Sequence, residues 1–232
     1  MDNPQAKKVL VVAAHPDDEV LGCGGTIARL AKDGHEVYIA ILGEGISSRY
    51  DRPEEADKRL IEELRAQSYN VGRHLSAKDI FFYSLPDNRF DTVPLLDIIK
   101  IVEKLVNKLQ PAVIYTHHGG DLNIDHQITH RAVLTAARPV KDCPVKEIYA
   151  FDVPSSTDWA FQQFEPVFRP NTFVDITETL EIKVQAWQLY ESEVRPFPHP
   201  RSPEALSTIA GRWGSMVGLK AAEAFQLIRS VR

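Results

Sequence analysis

The sequence predicts an α/β fold, Rossmann-like and three-layered, with a mostly parallel central sheet. Three observations carry that expectation. Short apolar runs rich in Val, Ile, Tyr and Phe recur between residues 8 and 151. Segments of helical periodicity separate them. The first of these runs is continuous rather than alternating, as a strand covered on both faces requires.

Taken in order, KVLVVAA (8–14) has strand length, and GTIARLAKDG (25–34) has helical spacing with a stop at Gly34. HEVYIAIL (35–42) reads as the second strand, followed by the loop LGEGISSRYDRP. From Glu54 to about Gly72 the pattern is helical, with Leu60, Ile61, Leu64 and Val71 on the apolar side. DIFFYSL (79–85) is the third strand. Pro94 to Leu109 reads as a helix ended by Pro111. AVIYTHH (112–118) is the fourth strand, and Asp125 to Arg138 the helix after it. Beyond EIYAF (147–151) regularity fades into Pro, Asn and aromatic residues, before TFVDI, a helix over about Thr177 to Tyr190 and a final helix over Ala221 to Arg232.

The 232 residues are 44% hydrophobic and 25% charged, enough for one large core. With no linker-like tract and no repeat, a single domain over 1–232 is expected, its motif-bearing core over 7–140 and an irregular, then helical, part over 141–232. A formal net charge of -5 and the lack of a long Lys/Arg run argue against nucleic acid as a partner. The apolar stretch near the start is too short to span a membrane and ends in His-Pro-Asp-Asp-Glu, so neither an integral membrane segment nor a signal peptide is expected. Cys23 and Cys143 are far apart and lack a CxxC partner, which fits a reducing, cytoplasmic location. A homo-oligomer is compatible with this composition.

In open α/β sheets ligands bind beyond the carboxyl ends of the strands. The loops AHPDDE, LGEGISSR, LPDNRFD and THHGGDLNIDH would share that rim. A dinucleotide fits poorly: Gly22 and Gly24 give GxG, but position 27 is Ile, and Asp17, Asp18 and Glu19 would repel a diphosphate. A cation fits better. His15 and Asp18, at i and i+3 in a tight turn, can converge on one ion, and His126 from a neighbouring loop would complete a three-ligand site of the catalytic zinc type. The expected metal is Zn2+, another divalent metal being compatible. Adjacent Asp17 and Asp18 cannot point the same way, so Asp17 is free to act as a general base. Glu19 would cap or pair with a cation. Singly, each residue has a plainer account: a hydrogen-bonded structural histidine for His117, His118 or His130, with His130 at the surface, or an N-cap aspartate for a helix starting near Gly24. The coincidence on one rim favours the metal.

AHPDDEVLGCGG (14–25) resembles the first motif of the LmbE-like, PIG-L-type N-deacetylase family, and DLNIDHQITHRAV its second. The resemblance covers about the first 140 residues. It implies a Rossmann-like zinc hydrolase that removes an acetyl group from an N-acetylglucosamine-type sugar or conjugate. Carried onto this chain, the metal ligands are His15, Asp18 and His126, the general base is Asp17, and Asp125 orients an imidazole or the metal shell. Arg59 and Asp87 align with positions that reach sugar hydroxyls, and Glu44 and Arg49 on the second loop are candidates for the same work. One departure is Asn123, where many members have a histidine that assists the transition state. His118 is the expected substitute, with His117 nearby and His199 more remote. The rival classes are a cofactor-binding oxidoreductase and a non-hydrolytic metal-binding module. Loops 43–53, 86–94 and 152–172 would choose the substrate; in the last, Trp159, Phe161 and Phe164 read as core aromatics, with stacking on a sugar ring as the alternative.

Overall fold

The computed structural model describes residues 6–52 and 55–232. Seven strands form one sheet in the order β3-β2-β1-β4-β5-β7-β6. β1 (Lys8–Ala13), β2 (Glu36–Gly43), β3 (Asp79–Leu85), β4 (Val113–His117) and β5 (Glu147–Phe151) run parallel. β1 explains the continuous apolar run: Val9 and Val11 enter one core layer, Leu10 and Val12 the other. The layer over the first face is built on α1 (Asp18–Lys32), α2 (Lys58–His74), α5 (Leu180–Gln188) and α6 (Pro203–Ser215). α3 (Leu95–Leu109) and α4 (Ile124–Ala136) cover the second face. Glu54, where the second helix was expected to begin, lies outside the described residues. Among the described residues no helix is long and apolar enough to cross a membrane.

Two expectations are corrected. The final segment is not a helix but β7 (Ala222–Ser230), antiparallel to β5 and to β6 (Thr172–Asp175). Its Ala, Glu, Gln and Leu favour helix intrinsically, but pairing on both sides and burial of Phe225 in the core prevail. α6 was not expected, although Ser202 caps it through a bond from Ala205 N at 3.0 Å and Pro203 occupies its first position.

The first helix starts at Asp18 rather than near Gly24, so the glycines lie inside it and form no turn. They are there for close packing. A Cβ on Gly22 would lie 2.3 Å from the Phe151 ring, and one on Gly25 2.9 Å from Ile176. The helix kinks at Cys23, whose backbone is at φ -150 and ψ 25. Around the break, Gly25 N and Thr26 N donate to Glu223 Oε1 and Oε2 at 3.0 and 2.7 Å, and Leu21 O accepts from Lys183 Nζ at 2.9 Å. Backbone groups freed by a kink must find partners, and this buried ion pair supplies them.

Candidate active site

The strand order reverses between β1 and β4, and the chain leaving each of these strands carries the histidines. Ala14 N donates to His117 Nε2 at 2.8 Å, which ties the two strand ends together. After Pro16 the chain turns into α1 through Asp17, whose φ of 109 is a conformation that side-chain-bearing residues rarely adopt. Asp17 occupies the N-cap position, yet its carboxylate makes no cap bond; only its carbonyl does, accepting from Val20 N and Leu21 N. The side chain is left for the cavity.

His15, Asp18 and His126 come together, with one donor atom from each lying within 4.8 Å of the other two. His15 Nδ1 and His126 Nε2 lie 3.4 and 3.3 Å from Asp18 Oδ2. Neither ring nitrogen of His126 has a hydrogen-bond partner of good geometry, although the side chain is only 2% exposed. A buried imidazole with an unengaged nitrogen aimed at a carboxylate and a second imidazole is a donor set that suits a zinc-like cation. The electrostatics ask for positive charge in the same place: burial alone would lower the His126 pKa, but the Asp18 and Asp121 carboxylates outweigh it and bring it up to about 9. Burial likewise works against the charged form of Asp18, yet His126 and His117 hold it well below the usual carboxylate range.

The ligand candidates are braced from behind. His15 Nε2 donates to Asp125 Oδ2 at 2.9 Å, and Asp87 Oδ1 lies 3.2 Å from the same nitrogen. Asp125 also accepts from Asn88 N at 2.6 Å and Phe90 N at 2.9 Å, which fixes its carboxylate beside His15, and with His15 and Asp87 it forms a second group of donors within 4.8 Å of one another. His126 Nδ1 faces Asp121 Oδ1 at 3.1 Å, and Asp121 is fixed by the Ser156 hydroxyl and by Thr157 Oγ1 at 2.5 Å.

A cavity of about 530 Å³ opens over this cluster, lined by His15, Asp17, Asp18, Asp87, Arg49 and Arg201 among others. Arg49 pairs with Glu193 at 2.5 Å. Asp87 accepts from Ser48 N at 3.0 Å, keeping the second and third loops in register at the mouth. Asn123 lines the cavity too, held by two bonds: Oδ1 caps α4 by accepting from Asp125 N at 2.8 Å, and Nδ2 donates to Asn88 Oδ1 at 2.8 Å.

Several expected residues stand elsewhere. His118 faces a separate cavity beside Phe164, Phe168 and Trp213, its Nε2 donating to Pro166 O at 2.6 Å. Arg59 is a solvated surface residue, 83% exposed and paired with Asp57. Glu44 is not among the cavity-lining residues. His199 accepts from Arg201 N and packs on Trp159, outside the cavity. His130, expected at the surface, is buried and bonds to His117 O at 2.8 Å. Trp159, Phe161 and Phe164, expected in the core, are exposed. Glu19 meets no cation: its partners are Tyr190 and the Asp17 backbone.

Arg201, Glu193 and Asp121 were not anticipated. Arg201 Nη1 donates to Asp17 Oδ2 at 2.8 Å, and its Nε to Ser155 Oγ at 2.7 Å. Burial raises the Asp17 pKa well above the ordinary carboxylate value, and Arg201 opposes that rise. The available signal was the Ser202-Pro203 helix start, which places Arg201 at the entry of α6.

The fold and this donor set define a class: α/β proteins with a candidate divalent-cation site at the carboxyl edge of a doubly wound sheet. Residues 10–137 match the family model for GlcNAc-PI de-N-acetylase, PIG-L, and the chain belongs to that family. It is 26% identical to diacetylchitobiose deacetylase of Thermococcus kodakarensis, with 97% of this chain and 84% of that protein covered. It is also 26% identical to the 1D-myo-inositol 2-acetamido-2-deoxy-alpha-D-glucopyranoside deacetylase of Mycobacterium sp. (strain JLS), covering 88% and 79%. The solved N,N'-diacetylchitobiose deacetylase of Pyrococcus horikoshii shares the fold, with a TM-score of 0.77 at 24% identity over 98% of this chain and 86% of that one. The chain is a hydrolase of the deacetylase class.

Proposed function

We propose that this chain removes the N-acetyl group from an N-acetylglucosamine-type sugar or sugar conjugate, with zinc or another divalent metal held by His15, Asp18 and His126. The single observation that carries the reading is the convergence of those three donors, one an unengaged buried imidazole nitrogen, on the floor of a hydrophilic cavity beside Asp17. Two relatives named for acetylated glucosamine compounds support the substrate class. We read residues 1–232 as one deacetylase domain, because β7 of the C-terminal part pairs directly with β5.

Zinc held by His15, Asp18 and His126 would supply Lewis acidity to the amide carbonyl and to the attacking water. The rest falls to the protein. Asp17 takes the proton of the attacking water through the carboxylate oxygen that Arg201 leaves free, and returns it to the departing sugar amine. Amide and water thus become acetate and a free amino sugar. Asp125 keeps the His15 ring oriented, and Asp121 does the same for His126. Asn123 is no general acid, because a carboxamide does not ionise; its Oδ1 and one Nδ2–H are already engaged. Arg201 is the cation nearest the base and places its charge where anionic character develops. Asp87 and Arg49 at the mouth offer an acceptor and donors to sugar hydroxyls.

The test is acetate release from N-acetylglucosamine and N,N'-diacetylchitobiose, paired with metal analysis. About one metal per chain is expected, lost in His126→Ala. Asp17→Ala should keep its metal and lose about 10²- to 10⁴-fold in kcat, the usual worth of a general base. Unchanged turnover in metal-loaded Asp17→Ala would refute the assignment of the base. Tight NAD binding without acetate release would point to the oxidoreductase.

A further inference from the structure

Glu19, the third carboxylate of the His-Pro-Asp-Asp-Glu run, has no part in the chemistry above. It is 1% exposed and is not among the residues that line the cavity. Its Oε1 accepts from the Tyr190 hydroxyl at 2.5 Å, and its Oε2 from the backbone N–H of Asp17 at 3.1 Å. Tyr190 lies just past the end of α5 and is fully buried. Glu19 therefore links a residue far along the chain to the one backbone amide that precedes the Asp17 side chain.

That amide belongs to a strained residue. The Asp17 φ of 109 costs on the order of 1–3 kcal/mol and persists only where its surroundings over-determine it. Four hydrogen bonds do so: the carbonyl is held by Val20 N and Leu21 N, the side chain by Arg201, and the N–H by Glu19. If α5 only had to be fastened to α1, an apolar pair of similar volume would do it without burying a carboxyl group. A carboxylate that accepts from a fixed hydroxyl on one side and from the strained amide on the other controls direction as well as contact.

We propose that Glu19 and Tyr190 are positioning residues for Asp17, holding its backbone in the conformation that turns the carboxylate towards the cavity. The inference rests on the reading of Asp17 as general base. Loss of the pair leaves the donors of His15, Asp18 and His126 in place but lets the Asp17 backbone relax, so the effect falls on kcat rather than on KM or metal content.

The experiment compares Tyr190→Phe, Glu19→Leu and Glu19→Gln with wild type and Asp17→Asn, measuring kcat and KM for acetate release from N,N'-diacetylchitobiose, bound zinc per chain and Tm. Tyr190→Phe removes one oxygen and keeps the ring, so it reads the proposal even if Glu19→Leu fails to fold. Expected are a roughly 10- to 100-fold loss of kcat in Tyr190→Phe and Glu19→Leu, with KM within about twofold and zinc retained, since displacement of a catalytic group by about 1 Å can cost about 10². Glu19→Gln keeps an acceptor for the amide and should recover to within about threefold of wild type. Wild-type kcat in zinc-loaded Tyr190→Phe, or zinc lost in parallel with activity, overturns the positioning role. Full turnover in Asp17→Asn overturns the base itself, and with it any role in positioning. An inactive Asp17→Asn beside an unaffected Tyr190→Phe sinks only the present inference.

Discussion

Lys183→Met should be one of the most destabilising single changes in the molecule, because Lys183 and Glu223 carry the kink in α1. Lys183 Nζ donates to Glu223 Oε1 at 2.6 Å and to Leu21 O at 2.9 Å, and the two residues are only 5% and 4% exposed. Removing the ammonium leaves a buried carboxylate with only the Gly25 and Thr26 N–H groups as donors, and an orphaned carbonyl at Leu21. Breaking one side of a buried pair costs about 3–5 kcal/mol. For a chain of this size about 2–4 °C of Tm accompanies each kcal/mol, so a drop of roughly 6–20 °C is expected. Glu223→Gln should cost less, since an amide oxygen still accepts from one of the two N–H groups. The assay is thermal and urea unfolding followed by circular dichroism, with both single variants and the double variant closing a mutant cycle. A loss below about 1 kcal/mol for Lys183→Met at unchanged urea slope would refute the claim that this pair replaces the broken helix bonds.

Arg201→Met should keep bound metal and lower kcat by about 10- to 150-fold, the equivalent of the roughly 1.5–3 kcal/mol of a hydrogen bond to a charged group; Arg201→Lys should recover part of this, keeping the charge but not the fork that also reaches Ser155. Both are checked by steady-state acetate release with parallel metal analysis. Burial pushes Asp152 up to about 7, with Lys183 acting in the opposite direction. The folded state therefore holds a proton that the unfolded state has released, so this group's contribution to stability is full below about pH 4 and is lost as the pH rises through about 7. Asp152→Asn should flatten that segment of the stability–pH curve in urea titrations, and an unchanged slope would show that Asp152 is not the titrating group.

What could be read from the sequence separates cleanly by range. β1 to β4 and the helices between them follow from contiguous patterns, because strands buried on both faces must be apolar throughout and their cover must repeat at helical spacing. The convergence of His15 and Asp18 with His126 was legible for a related reason: parallel connectivity places every loop after a strand on one rim, so a local motif and a topological rule together bring these donors to one place. The same reasoning failed wherever meaning depends on a partner far along the chain. The helix-forming residues of β7 are a strand because β5 and β6 pair with them, and the glycines of α1 are a packing surface because Phe151 and Ile176 lie against them. Arg201, Tyr190, Lys183 and Glu223 belong to no motif in the sequence, and each acquires its role only against Asp17, Glu19 or the kink. The first 140 residues thus supply the proposed metal donors and base, while the C-terminal part supplies most of the contacts that fix how the base and its helix are held. A chain cut after α4 would keep the motif and lose Arg201, Tyr190 and the ion pair at the kink, leaving Asp17 with only the local bonds from Val20, Leu21 and Glu19 and with no partner for its carboxylate.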